Sequence, residues 1–436
     1  MKVLVLNGSP KGNKSITLYT VKYIQKYFPE DEFEVLNVGS QIKSLEKDFS
    51  SARQKILECD LILFSYPVYT FETPYQLHRF VELMYDNFKN GELNGKFASQ
   101  ITTSKHFYDI TAHQFIKDIS SDFGIKFIEG LYADMDDLPT KKGRGQALDY
   151  WRLLKWQIDY EKGRAAGGNV SRAENASRDR DSFHIKIVCD IKPEDVELKK
   201  KVQRFQEKFP YKTSIFNIAE YNFAAGCLGC FRCAQKGECV HRDGFADVLR
   251  NEILPCDGFI YAFTVQNHSC GSNFKLFDDR QFCNGHRTMS IGKPVGYIVG
   301  GSLEGEWNVL TMINAKAQVG KNILASIAQT DDEIDELTDK MAYLLEKPVS
   351  LPSNFYEAGG MRIFRDLIYV MGGFMKADYE FYKKQGFFDS LPTNQKKTRR
   401  LMKLVGKLMS NEKIMKKIGN EFFDKMNAPY ENALKD

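Results

Sequence analysis

Four cysteines stand close together in one short segment, Cys227, Cys230, Cys233 and Cys239, with the spacing C-x2-C-x2-C-x5-C. So many thiols in so few residues suit a metal centre better than a core. A 4Fe-4S cube takes one thiolate at each iron corner, and a single wound loop supplies all four when two residues separate the first three. Zinc also accepts four thiolates, but its usual sites draw two C-x2-C pairs from separate segments, so the spacing favours iron and sulfur. A disulfide pairing needs an oxidising compartment, to which nothing at the N-terminus directs the chain. The five remaining cysteines, Cys59, Cys189, Cys256, Cys270 and Cys283, are scattered and read as small buried hydrophobes.

A second chemistry-bearing stretch is the turn Gly8-Ser9-Pro10-Lys11-Gly12-Asn13-Lys14-Ser15-Ile16-Thr17, between a buried strand and a helix running to about Tyr27. Backbone N–H groups at a helix start, the hydroxyls of Ser9, Ser15 and Thr17 and the charge of Lys11 together suit a phosphate. The same residues also serve as an ordinary helix cap and turn. The turn is neither G-x4-G-K nor G-x-G-x-x-G, which argues against a nucleoside triphosphate and against a dinucleotide.

Two further loops share an edge with it. Ser65-Tyr66-Pro67-Val68-Tyr69 ends the third strand, which in a sheet of order 2-1-3-4-5 lies beside the first, at the switch point where ligands bind. A planar isoalloxazine would pack on Pro67, Val68 and Tyr69 with its phosphate in the first turn. Alone, Tyr69 is an ordinary half-buried loop aromatic. The loop after strand four, from Thr102, Thr103 and Ser104 through Lys105, His106, Phe107 and Tyr108 to Asp109, would close over such a ring. It offers His106 or Tyr108 as a proton donor. A solvated loop with a satisfied histidine is the competing description, and His113 on the next helix reads as structural.

The elements that must position these groups alternate strand and helix. Strands are expected at Lys2 to Leu6, Phe33 to Asn37, Leu61 to Phe64, Phe97 to Thr102 and Lys126 to Glu129, with a last helix from Gln146 to Glu161, which argues for a parallel sheet covered on both faces. Gly163 to Asp181 is polar and rich in Gly and Arg and reads as a linker. The pattern then restarts at His184 to Val188. At an ungapped offset of 197 residues Cys59-Asp60 falls on Cys256-Asp257, Phe80 on Phe277 and Gly95-Lys96 on Gly292-Lys293, the signature of an internal duplication. The second copy is about 15 residues longer before its Cys-Asp pair, and the cysteine loop lies in that extra length. It carries Cys189 to Pro193 in place of the glycine-containing turn, so each copy keeps one site. The counterpart of Pro67-Val68-Tyr69 is Thr264-Val265-Gln266, followed by Asn267 to Cys270, which would bind a degenerate ligand or line the cluster pocket.

The expected architecture is therefore α/β, with two flavodoxin-like doubly wound parallel sheets in tandem: a flavin domain over 1–162, a linker over 163–182, a cluster-loop domain over 183–348 and a helical extension over 349–436. In that extension Pro352 to Arg362 reads as a loop and Ile363 to Gln385 as an apolar helical stretch broken at Gly372-Gly373. Residues 391–436 hold eleven Lys and Arg against five Asp and Glu. Amphipathic helices of that charge suit an anionic membrane or an acidic redox partner such as a ferredoxin, or else form a solvated face packed on the sheets.

Composition narrows the function classes. The 436 residues carry 61 basic and 57 acidic side chains, net +4, and 43% are hydrophobic, which is ordinary for globular domains and carries no nucleic-acid signature. No secretory signal and no transmembrane stretch is read, so a cytoplasmic protein is expected.

Taken together, G-S-P-K-G-x-x-S-x-T after strand one, P-V-Y after strand three and the compact cysteine loop resemble the NAD(P)H-dependent FMN reductase superfamily and its iron-sulfur flavoprotein branch. The resemblance covers residues 1–135 and 184–346. It implies FMN held at Ser9, Lys11, Ser15 and Thr17 and at Pro67, Val68 and Tyr69, and a 4Fe-4S cluster on Cys227, Cys230, Cys233 and Cys239; the reading of the loop after strand four adds Thr103 and Ser104 as cofactor-binding residues. The resemblance further implies electron transfer between FMN and cluster, and dimers or tetramers. Here the motifs sit in different copies, so the fused halves are expected to act as an internal pseudo-dimer with one FMN and one cluster. The expected activity is an oxidoreductase moving electrons between NAD(P)H, or reduced ferredoxin, and a quinone, nitro compound or oxygen species. An FMN reductase without a cluster and a non-enzymatic redox sensor are the alternatives.

Overall fold

The computed structural model describes residues 1–89, 91–166, 179–391, 397, 400 and 427–435. Two compact units emerge, one comprising residues 1–168 with 349–355 and 396–436, the other 169–348 with 356–395. The chain beyond 348 is thus shared between them. Most of the basic segment from Leu391 onward, and residues 167–178 of the expected linker, lie outside the described residues.

The first unit is built on strands β1 (Lys2–Asn7), β2 (Glu32–Leu36), β3 (Leu61–Pro67), β4 (Phe97–Ser104), β5 (Lys126–Phe127) and β6 (Leu131–Asp134). All pair in parallel, in the order β2-β1-β3-β4-β5, with β6 also on β4. β3 and β4 are buried along nearly their whole length, as central strands covered on both faces must be. One face packs Leu4, Leu6, Phe64, Leu77, Phe80 and Ile116; the other packs Val3, Val5, Leu18, Ile24, Trp151 and Leu154. Each such side chain withdraws from water for about 1.5–3 kcal/mol. The fifth strand, expected unbroken from Lys126 to Glu129, is interrupted, because Gly130 lies against the backbone of Gln100 where a Cβ would sit 2.5 Å from its carbonyl oxygen. The last helix is longer than expected, Lys141–Ala165, because Thr140 caps it by accepting from Gly143 N. It consumes the start of the expected linker.

The second unit repeats the design with β7 (His184–Cys189), β8 (Lys212–Asn217), β9 (Gly258–Thr264), β10 (Pro294–Gly300) and β11 (Ile323–Ala328), again all parallel and in the order β8-β7-β9-β10-β11. Both sheets therefore have the 2-1-3-4-5 order. The duplicated residues prove to be shared fastenings. Asp60 accepts from Lys2 N at 2.8 Å and Asp257 from His184 N at 2.8 Å. Lys96 donates to the carbonyls of Leu57 and Cys59, and Lys293 to those of Leu254 and Cys256.

Helices Phe355–Val370 and Lys376–Lys384 follow, broken between them at Gly372-Gly373. The loop expected over Pro352 to Arg362 is helical from Phe355. Its Gly360 sits so close to Val319 that a Cβ would lie 2.9 Å from a methyl group, so packing outweighs glycine's weak helix propensity there. Among the described residues no helix is long and apolar enough to cross a membrane.

Candidate flavin and metal sites

At the C-terminal edge of the first sheet, register brings the expected residues together: Asn7 pairs with Ser65, and Pro67 with Thr103. The turn after β1 is held from within. Asn7 donates through Nδ2 to Gly12 O at 2.9 Å and to Asn37 Oδ1 at 2.8 Å, and its Oδ1 accepts from Ser9 N at 3.2 Å. Gly12, at φ +53°, takes a left-handed bend that costs glycine little. Ser9 Oγ accepts from Lys11 N at 3.3 Å. Ser15 opens the helix Ile16–Tyr27 but makes no side-chain cap bond, and its Oγ is buried without any partner. Ser65 Oγ is buried and unpartnered as well. Buried hydroxyls normally find partners. An orphan beside a helix start fits a phosphate oxygen as its missing one. Thr17 differs, since its Oγ1 lies 2.6 Å from Thr103 Oγ1 and joins the first turn to the end of β4.

The loop after β3 is fixed by Val68 N donating to Thr103 O at 3.1 Å and by the reciprocal Tyr69–Glu72 bonds. Thr70 and Phe71 then adopt φ +48° and +76°, and His106 and Tyr108 across the edge adopt φ +54° and +51°. Four non-glycine residues thus take the left-handed region in these two facing loops, which is uncommon for residues that carry a Cβ. Phe71, Phe107 and Tyr108 pack on one another with ring centroids 5.4–6.1 Å apart, and Tyr69, Phe107 and Tyr108 are exposed.

His106 and Tyr108 are therefore unlike. His106 is buried and its Nδ1 is 2.9 Å from Asp109 Oδ2, while Ser104 Oγ donates to that same oxygen at 2.6 Å and accepts from His106 N at 2.9 Å. Against the desolvation that would raise it, the bonds from His106 and Ser104 and the nearby His113 hold the Asp109 carboxyl below its ordinary range. A carboxylate at Nδ1 fixes the tautomer and leaves Nε2 for chemistry. Asp109 escaped the sequence reading, although its place three residues after His106 at a helix start was the available signal. His113 is structural as expected: it stacks on Tyr132 at 3.8 Å, meets Thr102 Oγ1 at 3.0 Å, and burial pushes its pKa down to about 4.

In the second unit the four thiols line one cavity of about 390 Å3, together with Cys283, Arg280, His241 and His286. Left-handed residues at Gly229 (φ +60°), Phe231 (φ +58°) and Gly237 (φ +78°) wind the loop between the cysteines. Among the described residues no three His, Cys, Asp or Glu side chains gather closely enough to hold a single ion. Four thiols in one lining are a donor set that suits iron and sulfur. Thr264 to Cys270 do not appear in its lining, which decides against their lining the cysteine pocket.

A buried clasp closes the loop. Arg280, 1% exposed, donates two hydrogen bonds to the Asp243 carboxylate at 2.7 and 2.8 Å and a third to Ala225 O at 2.8 Å, with its guanidinium over Phe223 and Phe245. These bonds hold the Asp243 carboxyl far below its ordinary range. His241 meets Gly226 O at 2.9 Å across the same loop. Arg280 was not anticipated, yet the 197-residue offset places it on buried Leu83, a charge where the first copy has core.

Residues 1–152 match a family described as having the flavodoxin-like fold. An iron-sulfur flavoprotein of Archaeoglobus fulgidus is 29% identical over 174 residues, spanning 37% of this chain and 79% of that one. Among solved structures, a Trp repressor binding protein of Bacillus subtilis aligns at 18% identity and TM-score 0.28, covering 34% of this chain and 96% of that one. RosB bound to 8-demethyl-8-formylriboflavin-5'-phosphate aligns at 15% and 0.29, covering 38% and 86%. With its strand order, its switch-point loops and this match, the N-terminal unit is a flavodoxin-like domain.

Proposed function

We propose that this chain is an oxidoreductase carrying FMN in its first unit and a 4Fe-4S cluster in its second. It would move electrons between NAD(P)H, or a reduced carrier such as ferredoxin, and a small acceptor such as a quinone, a nitro compound or an oxygen species. The observation that carries this reading is the lining of a single cavity by Cys227, Cys230, Cys233 and Cys239. The similarity to a protein named an iron-sulfur flavoprotein supports it.

When bound, FMN accepts a hydride and releases electrons singly, and a cluster stores one electron at a time. The protein's own work is placement. Ser9, Lys11 and Ser15 would hold the phosphate, with Thr17 and Thr103 joined beneath it. Pro67, Val68 and Tyr69 would bear the ring. Asp109 and Ser104 orient His106, which would deliver or receive a proton at Nε2, and Phe107 and Tyr108 would screen the acceptor from water.

Anaerobic purification of the parent and of Cys230→Ser tests the reading. The parent is expected to be brown, with broad absorption near about 400 nm. The variant is expected to lose iron while keeping FMN. Iron-free parent protein, or unchanged iron in the variant, overturns it.

A further inference from the structure

The cavity of the four cysteines is lined by a histidine that the cysteine spacing does not account for. His286 places Nδ1 2.9 Å from Asp378 Oδ2, and its backbone N donates to the same oxygen at 3.1 Å. Asp378 is 0% exposed and comes from Lys376–Lys384, a helix belonging to neither repeat. Gly285, at φ +63°, admits it: a Cβ there would lie 2.3 Å from Asp378 Oδ1. Arg287 reaches that Oδ1 at 3.5 Å and donates to Cys233 O at 3.3 Å, so the carboxylate is tied to the cysteine loop as well. The imidazole is held between Phe282 and Phe364, at ring distances of 6.0 and 5.1 Å. The helix carrying Asp378 packs, through Met375 and Tyr382, in one apolar cluster with Ala234 of the cysteine loop.

A carboxylate accepts and cannot donate, so Nδ1 carries the proton and Nε2 is the nitrogen left for the cavity that His286 lines. A buried carboxylate behind a histidine is the arrangement that orients imidazoles toward metals. We propose that His286 reaches the cysteine-held centre through Nε2, with Asp378 as its positioning residue, which makes the C-terminal helices part of the metal site. This inference rests on the cluster proposed above.

The test uses full-length protein purified anaerobically, labelled with 15N-histidine and reduced with dithionite. Pulsed EPR is expected to detect nitrogen coupled to the centre, strongly if the Nε2 lone pair ligates iron in place of one of the four thiolates and weakly if the doubly protonated ring donates an Nε2 hydrogen bond to sulfur; either result supports the proposal. His286→Gln is expected to keep its iron, lose the coupling and shift the one-electron equilibrium about tenfold, or about 59 mV in midpoint potential. Asp378→Asn is expected to keep its iron with the coupling weakened. Full iron without histidine coupling in the parent, or coupling unchanged in His286→Gln, overturns the inference and leaves the cluster standing. Parent protein without iron overturns both.

Discussion

The loop after β3 in the first unit and the loop after β9 in the second are nearly the same object. Val68 N bonds Thr103 O, and Val265 N bonds Gly300 O; Tyr69 and Glu72 exchange the bonds that Gln266 and Ser269 exchange. Thr70 and Phe71 are left-handed, and so are Asn267 and His268, 197 residues on. Even the bond from Thr111 to Phe71 O recurs from Asn308 to His268 O. The turns after the first strands are another matter. The first offers Ser9, Lys11, Gly12 and an unpartnered Ser15 Oγ, whereas the second offers Asp190, which burial pushes above its ordinary range, and Asp195, bonded to Thr264. Carboxylates in the place of a phosphate cradle repel the ligand. The strained loop is thus a property of the scaffold, and under the proposed function the first turn would decide whether flavin binds.

The comparison can be broken in several ways, beginning with the largest effect. His106→Gln, if His106 moves the proton, should lower kcat by about 10²–10⁴-fold with FMN retained, as general acid–base groups do; the second unit's counterpart loop, altered at His268, should leave turnover unchanged. Steady-state kinetics at saturating NADH or NADPH reads both. Arg280→Met, where the first copy has Leu83, leaves Asp243 uncompensated and should destabilise the second unit by about 3–5 kcal/mol in denaturant unfolding. Because the folded Asp243 carboxyl lies below its unfolded value, its contribution is complete above the ordinary carboxylate pKa of about 4. It is lost as pH falls through the folded value, so the variant should show a shallower loss of stability on acidification.

Ser15→Ala sharpens the distinction between a binding residue and a structural one. Removing an unpartnered buried hydroxyl should raise apoprotein stability by up to about 1 kcal/mol, whereas losing a bond to phosphate should weaken FMN roughly tenfold. Opposite signs in calorimetry and flavin titration are the expected outcome, and a loss in both would make Ser15 structural. The smallest contrast is one of equality. Lys96→Met and Lys293→Met remove the same pair of bonds to helix-end carbonyls in the two units and should each cost about 1–3 kcal/mol.

Much of this was legible because periodicity and spacing are local. Buried strands such as Leu61–Pro67 announce themselves as apolar runs, and the Cys-Asp and Gly-Lys pairs marked the duplication because they fasten the same joints twice. The cysteine loop was visible because its thiols all fall within one short segment of the chain. What escaped was assembled across the chain. Asp378 meets His286 over 92 positions and Arg280 meets Asp243 over 37, and no pattern in sequence marks a carboxylate as buried against a distant cation. The glycines at 359 and 360 misled, because propensity reads them as a loop while close packing against Val319 keeps the second within a helix.

The central claim is a division of labour, with flavin only in the unit that keeps the phosphate turn and a cluster only in the unit with the cysteine loop. Quantifying iron, acid-labile sulfide and FMN in anaerobically purified protein tests it most directly. The account predicts about four iron, about four sulfide and about one FMN per chain. Two FMN per chain, or flavin without iron, would contradict it.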